Sequence, residues 1–173
     1  MRLGRGRDEA AFTEFASVAT PRLFRSALLL CGDYHLAEDL VQTTLAKLYV
    51  AWPSVERADS ADAYARGTLT KTFLSHKRVK RNAEQPRTDL GLAEPSRGAD
   101  VSARIELLDA LWRIDPLDRA ILVLRYWNDR SVEETAAAVG LSAGAVRTRA
   151  SRALARLRTS LADEPSDPRG AGS

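Results

Sequence analysis

Hydrophobic residues recur along this chain at intervals of three and four, and nowhere alternate in the two-residue rhythm of a strand. Phe12, Phe15 and Ala19 form the first such row. Thr20-Pro21 then reads as an N-cap followed by an N1 proline, the start of a second helix. That helix carries Leu23, Phe24, Ala27, Leu28 and Cys31 on one side and stops at Gly32. Asp33 can cap the next, in which Leu36, Leu40, Val41, Leu45, Leu48, Tyr49 and Trp52 make a broad apolar stripe ended by Pro53. Asp59 or Ser60 opens another, with Tyr64, Ala65, Leu69, Thr72, Phe73 and His76 as its inward positions.

The pattern lapses between Asn82 and Asp100. This stretch holds Pro86, Pro95, Gly91 and Gly98, with Leu90 and Leu92 its only large apolar residues. So long a structureless connection is uncommon inside one compact domain, so it reads as a linker. Fully extended, it spans up to about 63 Å. Periodicity returns with Val101, Ile105, Leu108, Leu111 and Trp112. Asp115-Pro116 is again a cap with N1 proline, leading to Leu117, Ala120, Ile121, Leu124 and Trp127. Ser131-Val-Glu-Glu134 matches a capping box, and its helix runs through Val132, Ala136 and Val139 to Gly140. Ser142 caps the last helix, with Val146, Ala150, Ala153, Leu154, Leu157 and Leu161 inward. The expected fold is therefore all-α. Two small helical domains, 8–81 and 101–161, are joined by a flexible linker at 82–100 and followed by a disordered tail at 162–173.

Composition narrows the chemistry. The one cysteine, Cys31, has no partner for a disulfide, and with only two histidines a metal site is not expected. No apolar run exceeds five residues, as in Ala27–Cys31, far short of the roughly 18 of a membrane helix, so no membrane insertion is expected. Arg2, Arg5 and Arg7 precede no apolar segment of the kind an export signal has, which points to the cytoplasm. No nucleophile–base pair or glycine-rich phosphate loop appears, so neither catalysis nor a cofactor is expected. The net charge is only +3, but it is unevenly placed. Nine acids face four bases between Asp8 and Asp62, whereas 64–81 holds Arg66, Lys71, Lys77, Arg78, Lys80 and Arg81 with no acid. Residues 143–158 hold Arg147, Arg149, Arg152, Arg156 and Arg158, again with no acid. Two acid-free basic segments suggest two contacts with a polyanion.

Ser131 to Arg158 has the grammar of a helix-turn-helix: a short helix, the turn Gly140-Leu141-Ser142, and a longer basic helix. The second helix offers Arg147, Thr148, Arg149, Ser151, Arg152 and Arg156 to DNA. Arginine can pair bidentately with a guanine edge, and serine and threonine can reach bases or phosphates.

At these residues the chain resembles a known family. Leu117–Trp127, Ser131–Ala136, Gly140–Ser142 and Gly144–Leu154 are similar to the C-terminal promoter-reading domain of extracytoplasmic-function RNA polymerase sigma factors, of the sigma-70 superfamily. Leu23–Asp33 with Ala37–Gln42 resembles that family's core-binding segment, and Lys47-Leu-Tyr49, Trp52 and Ala63-Tyr64 resemble its actinobacterial members. The resemblance covers about residues 8–160. It implies a subunit that binds core RNA polymerase through its clamp helices and flap, reads the −35 element with the helix-turn-helix, and opens the −10 element of promoter DNA. Glu38, Asp39 and Gln42 would dock on polymerase. Arg66, Lys71, His76, Lys77, Arg78, Lys80 and Arg81 would meet the −10 element. Lys71 and His76 stand where the family often has Asn and Trp, a departure at the helix that would meet the opened strand, where the family captures an extruded base. The family also admits an anti-sigma factor as a partner. The alternatives are a stand-alone helix-turn-helix regulator of duplex DNA and a helical adaptor for RNA or an acidic protein.

Overall fold

The structure, a computed structural model, describes residues 3–82 and 99–163. Among these it has eight α-helices and no strand. They are α1 (Leu3–Cys31), α2 (Tyr34–Val50), α3 (Trp52–Glu56), α4 (Ala61–Asn82), α5 (Ala99–Arg113), α6 (Pro116–Leu122), α7 (Val132–Val139) and α8 (Ala143–Ala162). A π-helical turn, Val123–Trp127, extends α6. Residues 83–98, most of the expected linker, and those beyond Asp163, the expected tail, lie outside the described residues.

Most caps match their sequence signals. Asp33 accepts the Leu36 N–H at 2.7 Å, Ser60 that of Ala63 at 3.1 Å, and Asp115 that of Leu117 at 3.0 Å. Two expected boundaries differ. Thr20-Pro21 does not start a helix, because α1 runs straight through it. The Thr20 hydroxyl donates back to the Ala16 carbonyl at 2.6 Å instead of capping forward. The interior proline costs about 3 kcal/mol of helix stability. Continuous burial offsets it: Ala19, Leu23, Ala27 and Leu30 form one stripe across the site, while Phe12 and Phe15 stack on Trp52 at 5.3 and 5.2 Å. Pro53, expected to end the third helix, instead sits in the first turn of α3 after α2 has closed at Val50.

The four N-terminal helices share one core, with Leu23, Leu30, Leu48, Val55, Leu69 and Phe73 almost fully buried. This core does not end at the expected domain boundary. Ala120 and Val123 belong to it, although the next residue of α6, Ile121, packs with Ala136, Val146 and Ala150 of the helix-turn-helix. Leu122 in turn packs with Ile114 and Ala153. Consecutive apolar residues of α6 thus face different sides, and α6 is the wall common to three cores.

Polar contacts fasten the two units. Arg119, 6 % exposed, donates to the carbonyls of Leu30 (2.6 Å), Trp112 (3.0 Å) and Ile114 (2.9 Å). The Trp112 indole donates to the Leu29 carbonyl at 3.2 Å. Two carbonyls of α1's last turn are thus satisfied from the other half of the chain. The π-turn closes with Asn128 N–H on the Val123 carbonyl at 2.9 Å. Its extra residue turns Trp127, expected inward, out to solvent and carries Asn128 inward, where its side-chain oxygen accepts from Ser26 at 3.0 Å and from Arg66. Three other expected core residues are also half-exposed. Tyr49 retains an edge contact with Phe12 at 5.1 Å, Tyr64 borders a cleft between α4 and α7, and Leu161 lies in the last turn of α8.

Replacing Arg119 with Met should destabilise the protein by roughly 3 kcal/mol, because three carbonyls lose a charged donor while remaining buried. Urea unfolding measures it, and a loss under 1 kcal/mol would show that the carbonyls are satisfied without the guanidinium. Gly32 and Gly140 provide a second check, since both have positive φ, +68° and +71°. A Cβ at Gly32 would lie 2.9 Å from the Trp112 ring, whereas none meets anything within 4 Å at Gly140. Gly140→Ala should cost only backbone strain, about 1 kcal/mol, and Gly32→Ala clearly more. Equal costs would mean that Trp112 yields freely.

Candidate nucleic-acid interface

The helix-turn-helix is built by local signals. Ser131 and Glu134 form the capping box, with Glu134 N–H on the Ser131 hydroxyl at 3.0 Å and Ser131 N–H on the Glu134 carboxylate at 2.7 Å. Those bonds to the ionised form hold the Glu134 carboxyl below its ordinary pKa. Gly140 closes α7 in the left-handed region, its N–H and that of Leu141 both on the Ala136 carbonyl. Ser142 then starts α8 by accepting the Ala145 N–H at 3.1 Å.

At 100° per residue, the buried stripe Val146, Ala150 and Ala153 sets the opposite side of α8. Thr148, Ser151 and Arg152 occupy its middle and are exposed. Arg147 lies at one border, 3.4 Å from Glu133 in an open pair with both side chains more than 60 % exposed. Arg149 and Arg156, two turns apart, lie at the other border. Both are drawn to Asp118 of α6, at 2.6 and 3.6 Å. The six arginine, threonine and serine residues expected to touch DNA are therefore one group in sequence but two in space.

The basic residues of α4 also divide. Lys71, Arg78, Lys80 and Arg81 are exposed, the last three in one run at the helix end. His76 and Lys77 are half-buried. Burial first, and then Lys77 and Lys80, push the His76 imidazole below its ordinary pKa, so it is neutral at pH 7. Burial likewise lowers Lys77, whose ammonium sits 5.9 Å from the Phe73 ring centre. Arg66 stands apart. Its side chain is 16 % exposed, held by Asp62 at 2.8 Å and by Asn128 across the domain boundary. Lys71 opens instead onto a cleft of about 510 Å³ between α4 and α7, where Gly67 faces Ala138.

On α2, Glu38, Asp39 and Gln42 share the exposed side opposite Ala37, Leu40 and Val41. Asp39 lies near enough to His76 to favour its charged form slightly, so the acidic side of α2 adjoins the basic end of α4. Asp118, Arg119 and Asn128 were missed by sequence reasoning. The signal was Asp118-Arg119 leading directly into the apolar run Ala120–Leu124, two charges where a core helix has little room for them. Among the described residues no His, Cys, Asp or Glu cluster can hold a metal, and no helix is long and apolar enough to cross a membrane.

Comparison with known proteins agrees with both halves. Residues 19–83 match the family model of sigma-70 region 2, and residues 104–157 match that of sigma-70 region 4. The chain is 38 % identical over 159 residues to the RNA polymerase sigma-E factor of Streptomyces coelicolor, covering 91 % of this chain and 90 % of that one. It is 30 % identical over 161 residues to the ECF RNA polymerase sigma factor SigL of Mycobacterium tuberculosis, covering 88 % and 87 %. In fold it is similar to the sigma factor RpoE of Bartonella quintana, solved in complex with the anti-sigma factor NepR. There the TM-score is 0.70 at 24 % identity, over 90 % of this chain and 99 % of that one. Full-length likeness to sigma factors, with both regions in order, leaves the stand-alone regulator without support, and the chain belongs to the extracytoplasmic-function sigma factors, which direct RNA polymerase to its promoters.

Proposed function

We propose that the sigma-factor work is divided among three surfaces of this chain. The exposed side of α8, with Arg147, Thr148, Ser151 and Arg152, reads the upstream promoter element in the major groove. The basic end of α4, with Lys71, Lys77, Arg78, Lys80 and Arg81, holds the downstream element as it opens. The acidic side of α2, with Glu38, Asp39 and Gln42, docks on core polymerase. The observation that carries this reading is α8 itself: a capped helix whose side away from the core holds only small, hydroxyl and arginine side chains. Phosphate contacts from the α4 residues supply affinity and register, while bases are chosen by the first turns of α8.

An anti-sigma protein belongs to the same reading. The Bartonella sigma factor is bound by one, and this chain offers such a partner an apolar groove of about 580 Å³ between its halves, bordered by Leu28, Leu108, Trp112, Tyr126, Trp127 and Leu157.

Run-off transcription with core polymerase, with and without the chain, tests the whole; no stimulation on any template of a genomic library would refute it. Asp39→Ala with Gln42→Ala should weaken capture of core enzyme while stability moves by no more than about 0.5 kcal/mol, since both side chains are exposed. Unchanged capture would place docking elsewhere. Arg147→Ala should cost about 1–3 kcal/mol on the preferred upstream element and flatten preference at one or two positions. Its open pair with Glu133 offers little resistance to release. Binding-site selection reads that change directly.

A further inference from the structure

Five arginines lie between Ala143 and Arg158 with no acid among them, yet α8 is not a uniformly basic rod. A single carboxylate from another helix divides it. Asp118 sits at the third position of α6, its side chain only 9 % exposed. One of its oxygens accepts from the Arg149 guanidinium at 2.6 Å, and the other lies 3.6 Å from that of Arg156. The two arginines are seven residues apart, so their side chains leave α8 on the same border and converge on one partner. Asp118 itself is fixed from below. It follows the Asp115 cap and Pro116, faces the positive end of α6, and is flanked in sequence by Arg119, which is locked into three carbonyls. A charge-assisted bond at 2.6 Å onto a nearly buried carboxylate is a strong restraint. The pair Arg147–Glu133, at 3.4 Å and open to water on both sides, is a weak one.

We propose that Asp118 is a positioning residue of the DNA-reading helix. It keeps Arg149 out of the DNA contact and restrains Arg156, leaving Arg147, Thr148, Ser151 and Arg152 as the groups that meet the upstream element. The consequence is functional. Each additional arginine on a phosphate tightens binding to every sequence alike, whereas a genome offers a vast excess of wrong sites. Holding Arg149 on an internal carboxylate, with Arg156 drawn toward the same group, keeps that indiscriminate contribution small, so the side chains facing the bases decide where the helix rests. The inference deepens the reading of α8 as the promoter-reading helix and rests on it.

The test uses the full chain assembled with core polymerase, bound to duplexes carrying the selected upstream element or a scrambled one, over a series of salt concentrations. The wild-type chain examines the underlying reading: no preference between the two duplexes would overturn that reading alone. Given a preference, Asp118→Asn should release Arg149 and steepen the slope of log affinity against log salt by roughly one unit, or two if Arg156 follows. At 0.1 M salt this corresponds to roughly eightfold tighter binding per released arginine, on both duplexes. Asp118→Asn combined with Arg149→Gln should return the slope toward wild type. Glu133→Gln removes an acid from the same surface without releasing a restrained arginine, and should leave the slope nearly unchanged. An unchanged slope in Asp118→Asn, or an equal rise in Glu133→Gln, would overturn the proposal. If Asp118→Asn fails to fold, Arg149→Gln decides: the selected sequence should stay as it was, and an altered one would show that Arg149 reads bases.

Discussion

The architecture depends on one buried cation. Arg119 takes a guanidinium into the interior and spends it on backbone carbonyls at the ends of two helices, α1 and α5, and of the turn that follows α5. The last carbonyls of a helix have no partner within it and carry the negative end of its dipole. Two such ends from different halves of the chain would repel and would each demand water. A planar donor between them satisfies both. The desolvation that lowers the Arg119 pKa is the cost of that arrangement, and guanidinium, the least readily deprotonated side chain, is the one suited to bear it. Trp112 completes the joint, covering Gly32 with its ring and donating to Leu29 with its nitrogen.

From that joint the rest follows in order. Once α1 and α5 meet end to end, α6 must run between the N-terminal bundle and the helix-turn-helix, and its residues from Ala120 to Leu122 face three different cores. The π-turn then rotates the chain just enough to bring Asn128 onto Ser26 and Arg66. This carries α7 onto α4, with Gly67 facing Ala138 at the contact. In this arrangement Arg66 of α4 is bonded to Asn128, from the half of the chain that carries the helix-turn-helix. The two halves are therefore coupled, not merely tethered.

The same economy of charge governs the surfaces. Arginines that sequence alone treats as equivalent differ in what they can do, because some already have fixed partners. Arg66 is bound by Asp62 and Asn128, and Arg149 by Asp118, whereas Arg147 and Arg152 stand in water. Desolvated pairs with good geometry hold their members in place; exposed pairs do not.

Local physics wrote much of this protein into its sequence. Helix periodicity, the Asp33, Ser60, Asp115 and Ser142 caps, the Ser131–Glu134 box and the Gly140 turn each depend on residues within four positions, so each was legible and each is found. The outward faces of α2 and α8 were legible for the same reason, since a helix's apolar stripe defines its opposite side. What only the tertiary structure decided depends on contacts between distant segments. Pro21 stays inside a helix because a core stripe runs past it, against the local preference for a break. Trp127 turns outward because a π-turn shifts the register to seat Asn128. Arg119 reaches a carbonyl 89 residues away, and Arg149 a carboxylate 31 residues away. Sequence spacing encodes the direction in which a side chain leaves its helix, but not what meets it there, and for a charged group the partner determines the role.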